Sequence, residues 1–205
     1  MAKRASETKP DFQNIYSSYN EKIRRYLTRL IGEGEVDDVT QEVFLKINAA
    51  LDSFRGDSSL STWIYRIATN AAMDYRRKSL TIPQEQVTER GLTSDPACEE
   101  EIAIDPSTSP DRQLIRKEMN ECIKGIVDGL PENYRTVLIL SDLEELKNNE
   151  IAEVLDISLE TVKIRLHRAR ARLKKELEHH CSFYKDERNE LACDRKVPSL
   201  KFLKK

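Results

Sequence analysis

Long apolar runs are missing from this 205-residue chain. No stretch approaches the roughly 18 apolar residues that cross a bilayer. The opening MAKRASETKP also lacks the apolar segment of a secretory signal. The expectation is a cytoplasmic protein with no membrane insertion. Glycine is scarce at six residues and aromatics supply only 6%, which argues against an all-β sandwich built on many tight turns. The four cysteines, Cys98, Cys122, Cys181 and Cys193, include no CxxC pair, so no disulfide framework is indicated. No nucleophile–base pair and no regular metal-ligand spacing is present, so the expectation is a protein that is not an enzyme and needs no cofactor.

Charge is abundant: 34% of residues are Asp, Glu, Lys or Arg, yet the net charge is only −2. The two signs are segregated. Residues 79–111 carry eight acids against one base, Arg90, with prolines and clustered Ser and Thr. Such a segment is too polar to bury a core and repels itself into an extended, flexible acidic linker. It separates an N-terminal module, 10–78, from a second module, 112–178, and a tail, 179–205, has no assigned role.

Both modules read as helical. Phe12, Ile15, Tyr19, Ile23, Leu27 and Leu30 recur at steps of three and four, as one face of a helix requires. Val36, Val39, Val43 and Ile47 form a second stripe, and Leu60, Trp63, Ile64, Ile67 and Ala71 a third, with SFRGDSS as the loop between them. In the second module Ile115, Met119, Cys122, Ile123 and Ile126 make a stripe in which Cys122 reads as inert core. Pro131 suits the first turn of the following helix. The fold class is therefore all-α: two small helical domains joined by the linker, the second containing a helix-turn-helix.

That motif rests on SLETVKIRLHRARARLKK, residues 158–175, with seven Lys or Arg against one acid, Glu160. Ser158 is a suitable N-cap. At 100° per residue Val162, Leu166, Ala169, Leu173 and Leu177 share a buried side, and Ile164 and Arg168 face away. Acids that would balance the charge at i±4 are nearly absent, so the bases repel one another unless an anion binds. A short helix, a tight turn and a basic second helix form the pattern that enters the DNA major groove. The residues placed to read duplex DNA are Glu160, Thr161, Lys163, Ile164, Arg165, His167 and Arg168. Arginine pairs with guanine edges, and an outward Ile164 suits a thymine methyl.

Helix 60–78 carries a different polar stripe: Thr62, Arg66, Asn70, Asp74 and Arg77, with Arg76 and Lys78 beside it. Amide and carboxylate groups among cations suit an unstacked base on a held single strand.

The strings DVTQEVFLK and FRGDSSLSTWIYRIATN, followed by the helix-turn-helix after an acidic linker, resemble extracytoplasmic-function (group IV) sigma factors, the small promoter-reading subunits of bacterial RNA polymerase. The resemblance covers about residues 11–178. It implies that the first domain binds the clamp helices of the polymerase β′ subunit and captures the melted −10 element. It also implies that the second domain reads the −35 duplex and touches the β flap. The −10 residues would be Arg66, Asn70, Asp74, Arg76 and Arg77, with Phe54 and Arg55 from the SFRGDSS loop. The core-polymerase surface would be Asp37, Asp38, Gln41 and Glu42. On physical grounds alone that acidic cluster is also a solvated helix N-terminus. An anti-sigma factor is a further partner implied by the family.

Two features depart from the pattern. The helix before the turn would usually open with Ser or Thr, where this chain has Lys147, which cannot accept a capping bond; Asn148 is expected to take that role one position on. The tail adds His179, His180, Cys181 and Cys193, candidates for a small zinc or redox site of irregular spacing. A stand-alone helix-turn-helix regulator, or a sigma factor with a metal- or redox-sensing tail, are the alternative readings.

Overall fold

A computed structural model of the chain describes residues 11–81, 110–185, 189 and 191–196. Seven α-helices lie among the described residues: α1 (Phe12–Ile31), α2 (Val36–Ala50), α3 (Leu60–Thr81), α4 (Pro110–Asp128), α5 (Glu132–Leu138), α6 (Asn148–Leu155) and α7 (Leu159–His180). A 3-10 turn, Leu51–Ser53, follows α2, and α5 widens into a π-helical turn, Ile139–Leu143. Two strands, β1 (Cys181–Lys185) and β2 (Leu191–Arg195), close the described chain.

The fold is all-α as expected, apart from that hairpin, which the sequence reading did not anticipate. The helices also run into both ends of the expected linker, through Thr81 and from Pro110. Most of the linker lies outside the described residues. Pro131 stands just before α5, not inside its first turn.

Packing sorts the chain into two compact units. One combines residues 1–83 with 133–166, and the other combines 84–132 with 167–205. This grouping differs from a division at the linker, because α5, α6 and the first turns of α7 belong with α1–α3.

The first unit is built on stripes of apolar residues. Ile23, Leu27, Val43, Ile47 and Ile64 are fully buried from α1, α2 and α3, and Val137, Ile139, Leu140, Ile151 and Val162 extend the core through α5–α7. Each such side chain contributes about 1.5–3 kcal/mol by leaving water. Several polar groups inside the core are paired with one another, which offsets the cost of burying them. The Tyr26 and Thr69 hydroxyls bond at 2.7 Å, and Thr69 also donates to the Tyr65 carbonyl at 2.6 Å. The Tyr26 ring meets the Tyr65 ring edge-on at 5.1 Å.

Two long-range contacts seat α5 and its sequel within this unit. Buried Arg135 donates to the Leu30 carbonyl at 3.1 Å, placing a cation at the negative end of the α1 dipole. Glu144 receives the Arg29 guanidinium at 3.1 Å and the Tyr65 hydroxyl. Gly32 ends α1 at φ 88°, its N–H bonded to the Thr28 carbonyl at 2.9 Å. That conformation admits glycine far more readily than other residues.

The second unit contains α4, the rest of α7 and the hairpin. The strands are antiparallel, with Cys181 opposite Arg195 and Phe183 opposite Cys193. The Lys196 N–H closes the ladder onto the His180 carbonyl at 2.8 Å. Buried Cys181 lies 3.4 Å, sulfur to sulfur, from half-buried Cys122 on α4. Cys122 therefore faces another thiol, not the purely apolar surroundings expected of it.

Candidate nucleic-acid interface

The helix-turn-helix is present in detail. α6 ends at Asp156, which adopts the left-handed conformation at φ 51° and ψ 50° and bonds its N–H to the Ala152 carbonyl. Asp tolerates this geometry better than most residues because its short side chain bonds locally. Ser158 then caps α7, accepting the Thr161 N–H at 3.1 Å while the two hydroxyls meet at 2.8 Å. Residues 156–158 are thus the whole turn, and both of its ends are fixed by hydrogen bonds.

The start of α6 is capped from one side only. Lys147 stands at the N-cap with no side-chain acceptor, and the Glu150 carboxylate takes the Lys147 N–H at 2.8 Å. Asn148 is the first helical residue and does not supply the cap expected of it. The acid at the third helical position does this instead, half of the reciprocal pair that a Ser or Thr would complete.

On α7 the expected buried side holds: Val162, Leu166 and Ala169 are buried, and Leu173 and Leu177 are half-buried. The outward face carries Lys163, Ile164, His167 and Arg168, all exposed, with Glu160 exposed at the helix start. Ile164 is 50% exposed, an apolar contact point among cations. Thr161 and Arg165 are half-buried at its margins. Lys163 is drawn toward Glu160 at 2.9 Å, an exposed pair worth little in stability. Arg170, Arg172, Lys174 and Lys175 continue the exposed positive surface toward the end of the helix.

The polar stripe on α3 is formed with one exception. Asn70, Asp74 and Arg77 are exposed, and Arg77 lies 3.6 Å from Asp74. Arg66 and Arg76 are half-buried. Thr62, read as part of this stripe, is instead 1% exposed. Ser59 is the cause: its hydroxyl accepts the Thr62 N–H at 3.0 Å and meets the Thr62 hydroxyl at 2.7 Å, so Thr62 belongs to the capped first turn of α3. Arg66 donates to the Glu153 carbonyl of α6 at 2.9 Å, a contact with no sequence signal because it joins residues 87 positions apart.

In the loop before α3, Phe54 is half-buried with its ring 5.1 Å from that of Trp63, and Arg55 is exposed. Gly56, at φ 74°, makes the bend between them and the helix. On α2, Asp37, Asp38, Gln41 and Glu42 are all exposed. Asp37 bonds the Arg24 guanidinium at 2.8 Å, and Glu42 bonds Lys46 at 2.7 Å, which holds its carboxyl below the usual range. Leu45 stands 65% exposed on the same helix. Among the described residues no three His, Cys, Asp or Glu side chains gather as metal ligands, so His179, His180, Cys181 and Cys193 are not assembled into one site.

The basic helix-turn-helix and the mixed polar–cationic stripe on a separate helix are both surfaces whose chemistry suits nucleic acid. Comparison with known proteins gives the family. Residues 15–80 match the family model for sigma-70 region 2, and residues 120–173 match that for sigma-70, region 4. The ECF RNA polymerase sigma factor SigW of Bacillus subtilis is 35% identical over 170 residues, 81% of this chain and 88% of that protein. The ECF RNA polymerase sigma-E factor of Haemophilus influenzae is 30% identical over 172 residues, 83% of this chain and 89% of that one. A solved complex of the sigma factor RpoE with the anti-sigma factor NepR, from Bartonella quintana, shares the fold. Its TM-score is 0.59 at 22% identity, over 82% of this chain and 97% of that one. The chain belongs to the extracytoplasmic-function sigma factors, and its function is promoter-specific initiation of transcription with RNA polymerase.

Proposed function

We propose that this sigma factor divides promoter reading between α7 and α3, while α2 docks the polymerase. Residues 10–78 act as the region 2 domain, 112–178 as the region 4 domain, and 79–111 as the linker between them. The outward face of α7 takes the −35 duplex: Lys163, Arg165 and Arg168 reach guanine edges or phosphates, Ile164 packs on a thymine methyl, and Glu160, Thr161 and His167 flank them. The stripe of Arg66, Asn70, Asp74, Arg76 and Arg77, with Phe54 and Arg55, captures flipped bases of the melted −10 strand. Extruding a base costs a few kcal/mol, recovered through hydrogen bonds and stacking in the pocket.

Asp37, Asp38, Gln41 and Glu42 bind the β′ clamp helices of core polymerase, and the second domain touches the β flap. Opening the duplex is then an equilibrium shifted by binding energy, and the sigma factor contributes no catalytic group. It works in the cytoplasm with promoter DNA and core polymerase, held in check by an anti-sigma factor. The solved RpoE–NepR complex, and that of CnrH with the cytosolic domain of CnrY, are the models for such a check.

The observation that carries this reading is the exposed, predominantly basic outward face of α7, whose start is capped by Ser158. Its test is a promoter library transcribed by core polymerase with the wild type, Asn70→Ala or Arg168→Ala. Arg168→Ala should relax sequence preference in the −35 element only, and Asn70→Ala in the −10 element only. Equal loss at both elements in both variants would contradict the division.

A further inference from the structure

The hairpin that follows α7 brings together two cysteines that the sequence keeps 59 positions apart. Cys181, the first residue of β1, is 2% exposed. Cys122 lies on α4 and is half-buried, which leaves it open to a small reagent. Their sulfurs are 3.4 Å apart, and no disulfide joins them in this structure. A disulfide bond is about 2.05 Å long. The remaining approach, roughly 1.4 Å, is within reach of side-chain rotation at two single bonds.

A third thiol frames the choice. Cys193 lies opposite Phe183, two residues along from the Cys181–Arg195 pair. By the period-two alternation of strands it shares the face of Cys181 as a diagonal neighbour. Diagonal positions stand about 7–8 Å apart in backbone, a poorer fit for a disulfide than the Cys122–Cys181 contact.

We infer that Cys122 and Cys181 form a reversible disulfide that staples the end of α7 to α4. The oxidant is a low-molecular-weight disulfide, RSSR. The thiolate of accessible Cys122 attacks one of its sulfurs, the RS–SR bond breaks and the first RS⁻ leaves. The Cys181 thiolate then attacks the Cys122 sulfur of the mixed disulfide, the new S–S bond forms and the second RS⁻ leaves. Two protein thiols are oxidised, one RSSR is reduced to two RSH, and the two thiol protons end on the released thiols. A small dithiol reverses the exchange.

The bond would close a long chain loop around most of the second helical module. Its first effect is to restrict the unfolded chain and raise the melting temperature. Its second is to fix the hairpin at the point where α7 ends, since Cys181 follows His180 directly. Any effect on transcription rests on the function proposed above; formation of the bond does not.

The full-length reduced protein, incubated with oxidised glutathione and mapped by mass spectrometry without reduction, tests the inference. The expected result is a Cys122–Cys181 cross-linked peptide in excess of any other pair. It should come with a rise in melting temperature on the order of 5 °C that dithiothreitol reverses. Cys122→Ser should lose both signals, and Cys98→Ser should keep both. If Cys181→Ser unfolds, the wild-type peptide map still decides. A dominant Cys181–Cys193 link, glutathione held stably on Cys122, or a cross-link without a thermal shift would each overturn it. None of these readouts involves polymerase, so failure here is distinct from failure of the sigma function.

Discussion

Arg29, in the last turn of α1, donates to Glu144 at 3.1 Å, although 115 positions separate them. Glu144 is 8% exposed at its side chain and also accepts the Tyr65 hydroxyl from α3. One carboxylate thus ties the turn after α5 to two helices of the N-terminal core. Glu144→Ala leaves a buried phenol and a guanidinium to find new partners, which should cost on the order of 1–3 kcal/mol. Urea unfolding monitored by circular dichroism measures the loss. A double-mutant cycle with Arg29→Ala should show a coupling energy, and strict additivity would mean the pair is incidental.

Burial supplies a pH dependence. Tyr26 and Tyr65 are held protonated well above the ordinary phenol range, chiefly by desolvation, with Glu144 adding to the shift at Tyr65. Because the folded pKa is raised, the stability from these groups is complete below the unfolded pKa of about 10 and is lost as pH rises above it. Alkaline titration should therefore show unfolding and tyrosinate absorbance appearing together. Tyr26→Phe, which cannot ionise, should move the alkaline transition to higher pH once the lost Thr69 bond is allowed for. An unchanged transition would assign the sensitivity elsewhere.

The cap of α7 is a separate matter. Ser158→Ala removes the acceptor of the Thr161 N–H and should cost about 1 kcal/mol. Ser158→Asp should retain most of that stability, since a carboxylate also caps and favours the positive end of the helix. Thermal melts of the three proteins give the order directly.

Salt dependence separates two kinds of arginine. Within the polymerase–promoter complex, Arg170→Ala should weaken binding evenly across sequences and flatten the log–log salt slope by about one unit. Arg168→Ala should cost about 1–3 kcal/mol at preferred −35 sequences and much less at others. The isolated protein, at a net charge of −2, should bind duplex DNA only weakly. Competition assays at several salt concentrations would expose tight duplex binding by the protein alone, which would favour a stand-alone regulator.

Periodicity made the helices legible, since Ile23, Leu27, Val43, Ile47 and Ile64 are buried as their spacing requires. The same spacing placed the outward face of α7, and Ser158 marked its start. What stayed hidden depends on contacts between distant positions. Nothing near Glu144 announces Arg29 and Tyr65, and nothing near Arg66 announces the Glu153 carbonyl. Thr62 was misplaced because its position on the helical wheel is polar, while the hydroxyl of Ser59, three residues earlier, encloses it. The hairpin was missed because CSFYK and LACDR are each only five residues long, too short to separate from loop by alternation. Its existence then changed the meaning of Cys122.

The most direct measurement is run-off transcription with purified core RNA polymerase, with and without this protein, on a promoter library. Transcripts that start at discrete promoters only when both components are present, and that disappear with a variant of the proposed clamp-binding surface such as Asp38→Arg, are the expected result. A protein that neither binds core polymerase nor alters its start sites would contradict the account.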